Sequence, residues 1–129
     1  MELRSVEELM DLLYACPHQR ALRTAALLRR SRPADKELQV AGLVHDIGEL
    51  LRPGDEIRRT ESAAEAVRPL LGERVYRLVR GHGTDEDVLR LSLADEESRA
   101  TRFDAGVLED WRTVLELVAA RHSRLGAVD

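Results

Sequence analysis

The sequence predicts an all-α protein, a compact bundle of about six or seven helices. Apolar residues recur every three or four positions through nearly every segment, the spacing that gives a helix one apolar face. No useful length of sequence alternates apolar and polar residues as a half-buried strand does. The 129 residues fit one domain, so we expect a single helical domain over residues 1–129.

Three predicted helices occupy the first half of the chain. The first is preceded by a capping box of Ser5 and Glu8 and ends at Pro17. The second, 18–30, carries a face of small residues suited to close helix packing. The third is capped by Asp35 and ends near residue 48.

Four further helical segments are predicted after a polar connection at residues 49–59, which contains Pro53-Gly54. They lie at 61–72, 75–82, 84–95 and 107–125. We expect Pro69 to interrupt the first of them, since proline lacks the N–H of a helical hydrogen bond. Val107 and Trp111 begin the apolar stripe of the last one.

Composition argues against several classes of function. The 20 basic and 24 acidic residues are interspersed and give a net charge of −4, so we do not expect a nucleic-acid partner. No apolar stretch approaches the length of a bilayer span, and residues 1–8 lack the apolar core of a signal peptide. We expect a cytoplasmic protein without a membrane partner; homodimer formation remains open. The lone Cys16 excludes an internal disulfide framework.

The doublet His45-Asp46 is the most informative feature of the chain. It stands at the end of an apolar helix, within Leu43-Val44-His45-Asp46-Ile47-Gly48-Glu49, where a charged pair needs a compensating partner. At a helix end both side chains can converge on one ion. Imidazole nitrogen and carboxylate oxygen together suit divalent iron, manganese, cobalt or zinc.

With His18 upstream and Asp95 downstream in Leu-Ser-Leu-Ala-Asp, the chain resembles the HD superfamily over roughly residues 15–100. The resemblance implies a histidine, a His-Asp doublet and a later aspartate on different helices around one divalent metal ion. It therefore implies the ligands His18, His45, Asp46 and Asp95.

The chain is similar to one branch of that superfamily, the small nucleotidases, and this similarity implies a metal-dependent phosphohydrolase. Glu49, three residues after the doublet, would orient the attacking water, and Asp55 stands near the position of a substrate-contacting aspartate. Arg52, Arg58 and Arg59 lie in the adjacent loop, where guanidinium groups can clamp a phosphate. The expected substrate is a small phosphate ester or nucleotide.

A second branch, the iron-dependent oxygenases of phosphonate breakdown, is an alternative. His82 would match one of its two additional histidines, while Thr60-Glu61-Ser62 stands where the other is expected. Asp104 and Asp110 are candidate substitutes for its tail aspartates. A third alternative is a degenerate HD domain that binds a ligand or partner without turnover. The hydrolase is preferred because the single-metal set is present.

Overall fold

The computed structural model describes residues 2–81 and 85–128 of the chain. Its helices run in the order α1 (Val6–Ala15), α2 (Gln19–Ser31), α3 (Lys36–Val44), α4 (Gly48–Leu51), α5 (Arg59–Leu71), α6 (Glu73–Arg80), α7 (Glu86–Ala100), a 3-10 helix (Leu108–Trp111) and α8 (Arg112–Val128). Seven of these α-helices have eight residues or more, α4 being a single turn, and the described residues form no strand. The predicted all-α bundle is confirmed. Within those residues, no helix has the length and apolar character needed to span a bilayer.

Side-chain caps fix the starts of three helices. Ser5 accepts a hydrogen bond from the Glu8 N–H at 3.1 Å, and Asp35 accepts one from the Leu38 N–H at 3.1 Å. At α7 the capping residue is Asp85, which accepts from the Asp87 N–H at 2.8 Å. Each bond satisfies an amide that has no partner inside its helix. The predicted start at Thr84 lies outside the described residues.

Two helix boundaries differ from the prediction near the middle of the chain. α4 begins two residues after the doublet, so the polar connection is shorter than predicted and spans residues 52–58. α5 continues through Pro69 without interruption. Proline removes only the hydrogen bond to the Glu65 carbonyl, and both residues are exposed, so water can satisfy that oxygen.

Val107 also departs from the prediction, because it does not belong to the last helix. Its backbone is extended, with φ −118° and ψ 156°, and its side chain is exposed. The Asp110 carboxylate accepts a hydrogen bond from the Val107 N–H at 3.2 Å, which starts the 3-10 turn there. α8 then begins at Arg112, and Trp111 is buried in the core as expected.

α3 is the central helix of the bundle, since every residue from Leu38 to Val44 is buried. It packs against α2, α6, α7 and α8. Gly42 permits the close approach of α2: a Cβ there would lie 2.6 Å from a Leu28 methyl carbon, too close for a carbon contact. The helix that leads into the doublet is therefore held on several sides, and its C-terminal end has a fixed position.

Arg74 on α6 joins the starts of α3 and α7. Its guanidinium binds both oxygens of Asp35, at 2.6 and 2.7 Å, and also contacts Asp87 at 2.9 Å and Glu37 at 3.2 Å. The hydrogen bonds from Arg74 lower the pKa of Asp35, against the opposing effect of its partial burial. Bidentate pairing of this kind fixes orientation as well as adding energy.

Replacing Asp35 with asparagine is expected to lower the free energy of unfolding by about 1–2 kcal/mol at pH 7. Asparagine keeps an oxygen for the Leu38 N–H, so the loss reports the ion pair with Arg74. Because folding lowers the pKa of Asp35, its stabilisation is present above the unfolded value of about 3.9 and is lost as the pH falls through the folded one. Urea denaturation across this pH range measures both effects.

The control is Glu37→Gln, whose single longer contact with Arg74 should cost no more than about 0.5 kcal/mol. Equal losses in the two variants would contradict a special role for the bidentate pair.

Candidate metal centre

His45 lies directly after the last residue of α3 and directs one ring nitrogen at a pocket. Its Nδ1–H donates to the Gly42 carbonyl at 2.6 Å. Since a carbonyl only accepts, this bond places a proton on Nδ1. In the neutral ring Nε2 then carries a lone pair that can bind a metal ion, whereas in the protonated ring the Nε2–H can donate to Asp95. Metal-binding histidines are commonly oriented by such a second hydrogen bond.

Two carboxylates face that nitrogen, one in the turn between α3 and α4 and one on α7. Nε2 lies 3.0 Å from Oδ1 of Asp95 on α7 and 3.3 Å from Oδ1 of Asp46. One ligand atom from each of His45, Asp46 and Asp95 lies within 4.8 Å of the others. Ligands about 2.1 Å from one ion are roughly 3.0 Å apart at a right angle and roughly 3.4 Å apart at a tetrahedral angle. These donors therefore fit a divalent ion in type and in spacing.

Contacts within the trio shift the pKa values of His45 and Asp95. Burial opposes protonation of His45, but the hydrogen bond with Asp95 and the charges of Asp46 and Asp95 outweigh it and raise the His45 pKa. The same hydrogen bond, helped by the charge of Arg20, lowers the pKa of Asp95. The lowered pKa favours the ionised form of Asp95, the form that a carboxylate ligand of a divalent ion must have.

Arg20 on α2 completes the cluster, although the sequence analysis did not select it. Its Nη2 donates to Asp46 Oδ2 at 3.0 Å and lies 3.2 Å from Asp95 Oδ1. Sequence reasoning chose His18, two residues earlier, as the residue of this helix that reaches the metal. Nothing in the helical periodicity distinguishes Arg20 from the chain's other arginines.

These residues line a pocket of about 300 Å³. Its wall also includes Gly48, Glu49, Arg59, Thr60, Val79 and Arg99. Glu49 contacts Arg59 at 3.6 Å, and Arg99 reaches the second oxygen of Asp95 at 3.4 Å. Arg99 was also missed, yet it stands one helical turn after Asp95, a spacing at which opposite charges on a helix meet. Glu49 and Arg59, two of the candidate site residues from the sequence, thus lie in the same pocket as the trio.

The structure does not bring His18 into the group of three ligands. His18 precedes α2, and its Nδ1–H donates to the carbonyls of Leu13 and Cys16, at 3.1 and 3.0 Å. These bonds hold the ring against the end of α1. Of the four ligands that the family resemblance implies, the structure therefore brings three together: His45, Asp46 and Asp95.

Other predicted site residues have local contacts elsewhere. Asp55 accepts from the Arg58 N–H at 3.1 Å, at the start of α5. Arg52 donates to the Ser62 hydroxyl at 3.3 Å. Asp55, Arg52 and Arg58 are not among the residues that line the pocket.

The residues proposed for the oxygenase alternative are distributed differently. Asp104 accepts from the Gly106 N–H at 2.9 Å, and Asp110 accepts from the Val107 N–H, so both carboxylates bind nearby backbone. Thr60 lines the pocket. The position where a further histidine was expected thus faces the site but bears a hydroxyl group. His82 lies outside the described residues.

Comparison with known proteins gives one family. The HD domain family model matches residues 18–126, which includes all three converging ligands. No curated protein and no solved structure matches the chain significantly.

Gly48 positions the pocket wall, because α4 crosses the start of α5 at this residue. A Cβ on Gly48 would lie 2.0 Å from the Arg59 carbonyl oxygen, and backbone would have to move to admit it. We expect Gly48→Ala to lower the free energy of unfolding by about 3 kcal/mol. Urea denaturation measures this loss.

Gly54→Ala is the matched control, since a Cβ there meets nothing within 4 Å and only its positive φ of 81° opposes the change. It should cost about 1 kcal/mol. A loss in Gly48→Ala no larger than in this control would show that α4 and α5 are not held in close contact.

Proposed function

Because the chain belongs to the HD domain family, a family of metal-dependent phosphohydrolase type, we propose that it hydrolyses a small phosphate ester or nucleotide. The observation that carries the proposal is the convergence of His45, Asp46 and Asp95 in a pocket that also contains arginines. Three protein ligands leave coordination positions open on the ion. An arginine-lined pocket suits an anionic substrate.

His45 Nε2, Asp46 Oδ1 and Asp95 Oδ1 would hold the divalent ion. When bound, such an ion supplies Lewis acidity toward a phosphoryl oxygen and lowers the pKa of water toward neutrality. The hydrogen bond from His45 Nδ1–H to the Gly42 carbonyl keeps Nε2 directed at the proposed metal position. This arrangement makes His45 a ligand in its neutral form and leaves proton transfer to another group.

Glu49 is the proposed general base. It lines the same pocket, and its side chain is 56% exposed, so it can reach water and release a proton to solvent. Arg59, at 3.6 Å, holds the carboxylate beside the ligands. A general base needs hydrogen-bond reach of the proton that it removes, about 3 Å. Glu49 lies in the first turn of α4, three residues after Asp46, and shares the pocket with the proposed ligands.

Arg59 and Arg99 are the proposed contacts for the substrate phosphate. Both line the pocket, and each is partly exposed, with side-chain exposures of 36% and 61%. Their carboxylate contacts, 3.6 and 3.4 Å, are long, so a phosphate can compete for their N–H groups. Of the three arginines selected from sequence, only Arg59 keeps this role.

The hydrolase is preferred to the two-iron oxygenase because a second iron would need a histidine ligand near residue 60, where the chain has Thr60. A non-catalytic binding domain is the second candidate, and the ion pairs of Arg20 with Asp46 and Asp95 favour it. A panel of phosphate monoesters and nucleotides, assayed with Mn²⁺ or Co²⁺, separates the two. Hydrolysis of no compound would overturn the hydrolase proposal.

Asp46→Asn and Glu49→Gln should separate metal binding from turnover. Asp46→Asn removes a ligand charge, so we expect loss of both bound metal and activity. Glu49→Gln keeps the ligands but neutralises the base, so bound metal should persist while kcat falls about 10²- to 10⁴-fold. Elemental analysis and steady-state kinetics on the same preparations measure both quantities.

Glu61→Gln is the control for this pair, because Glu61 is exposed in the first turn of α5 and does not line the pocket. Its kcat should equal that of the unmodified protein. A Glu49→Gln variant with an unchanged kcat would remove Glu49 from the mechanism while leaving the enzyme class intact.

Arg59→Gln should raise KM for the best phosphate substrate about tenfold, the equivalent of one charge-assisted hydrogen bond of about 1.4 kcal/mol. Arg58→Gln, one residue earlier, is the matched control: it removes the same charge from an exposed side chain outside the pocket. Equal KM values in the two variants would show that Arg59 acts only through the general charge of the surface.

A further inference from the structure

Arg20 already supplies a positive charge to the proposed metal ligands. Its Nη2 contacts one carboxylate from each of two segments, Asp46 at 3.0 Å and Asp95 at 3.2 Å. The atom that it contacts on Asp95 is Oδ1, the same oxygen that lies 3.0 Å from His45 Nε2. The guanidinium thus binds an oxygen that a divalent ion would need.

This contact offsets the repulsion between the two carboxylates. Two negative charges in one partly buried site repel each other, and a shared counter-charge removes that cost. Arg99 contributes less, because it reaches only Asp95, through the outer oxygen Oδ2 at 3.4 Å, and is largely exposed. Arg20 is therefore the arginine that bridges the two ligands.

We propose that Arg20 competes with the divalent ion for Asp46 and Asp95, and so determines the metal affinity of the site. The inference rests on the proposed metal site and adds a residue that sets its occupancy. A bound ion and the guanidinium would place like charges around Asp95 Oδ1, and like charges in a partly buried site repel more strongly than they do in water. Metal binding then requires that Arg20 turn away.

The surroundings of Arg20 permit that movement. Its side chain is 32% exposed, and the described residues give its buried Nε no hydrogen-bond partner. The contacts that hold the guanidinium in place are thus those of Nη2 with the two carboxylates. Arg20 also lines the pocket, so a guanidinium released from the ligands stays beside any anion bound there.

The test is a titration with Co²⁺ of the unmodified protein, Arg20→Gln and Arg23→Gln, followed by Co²⁺ absorption and by calorimetry. Arg23 is the matched control: it lies on the same helix, carries the same charge and bridges to α7 through the Ser98 carbonyl at 3.2 Å. We expect Arg20→Gln to bind Co²⁺ about tenfold more tightly or better, since it loses a like charge at the site. Arg23→Gln should stay within about threefold of the unmodified protein.

The outcomes separate this inference from the metal site itself. Equal Co²⁺ affinities in Arg20→Gln and the unmodified protein would overturn the competition while the metal site stands. Binding by neither protein would overturn both. If Arg20→Gln is unfolded without metal, its refolding upon addition of Co²⁺ supports the proposal. Failure to fold at any Co²⁺ concentration overturns it, because an ion that competes with Arg20 must also be able to replace it.

Discussion

The need to neutralise two converging aspartates governs this end of the bundle. Asp46 and Asp95 face one imidazole nitrogen at 3.3 and 3.0 Å. One oxygen of each lies within 4.8 Å of the other, and ionised carboxylates so close together repel unless a cation joins them. Arg20 provides that cation, since its guanidinium contacts both carboxylates. A divalent ion at this site would have to bind the two carboxylates more strongly than Arg20 does. At the proposed metal site, the affinity would therefore depend on the difference between two free energies: that of pairing the carboxylates with the ion and that of pairing them with Arg20.

Rigid packing of α3 makes this arrangement possible. The helix is buried from Leu38 to Val44, and Gly42 lets it approach α2 closely. The Gly42 carbonyl then orients His45, while Gly48, six residues on, sets α4 against α5. One glycine thus fixes the ligand and the other fixes the pocket wall. A Cβ at either position would lie closer to a neighbouring atom than van der Waals contact allows, so that neighbour would have to move.

The sequence predicted the helices and the doublet because both leave local signals. Apolar periodicity and caps such as Asp35 depend on near neighbours in the chain, and the His-Asp pair stands out at the end of an apolar segment. The residue through which α2 contacts the two carboxylates leaves no such local signal. Residue type favoured His18, yet the direction of each side chain at the start of α2 decides that Arg20 reaches the carboxylates. Such a contact, 26 residues apart in sequence, has no local signature.

The net charge of the pocket, with and without a divalent ion, bears on the proposed substrate. Arg20, Arg59 and Arg99 balance Asp46, Glu49 and Asp95 among the lining residues, so the pocket is close to neutral when His45 is uncharged. A divalent ion would leave an excess of two positive charges, which matches a phosphate dianion. Substrate binding would then relieve the repulsion between the ion and Arg20, because the anion can pair with both. By linkage, a ligand that relieves this repulsion must also strengthen metal binding. Substrate and metal are therefore expected to bind cooperatively at this site, with Arg20 as the group that couples them.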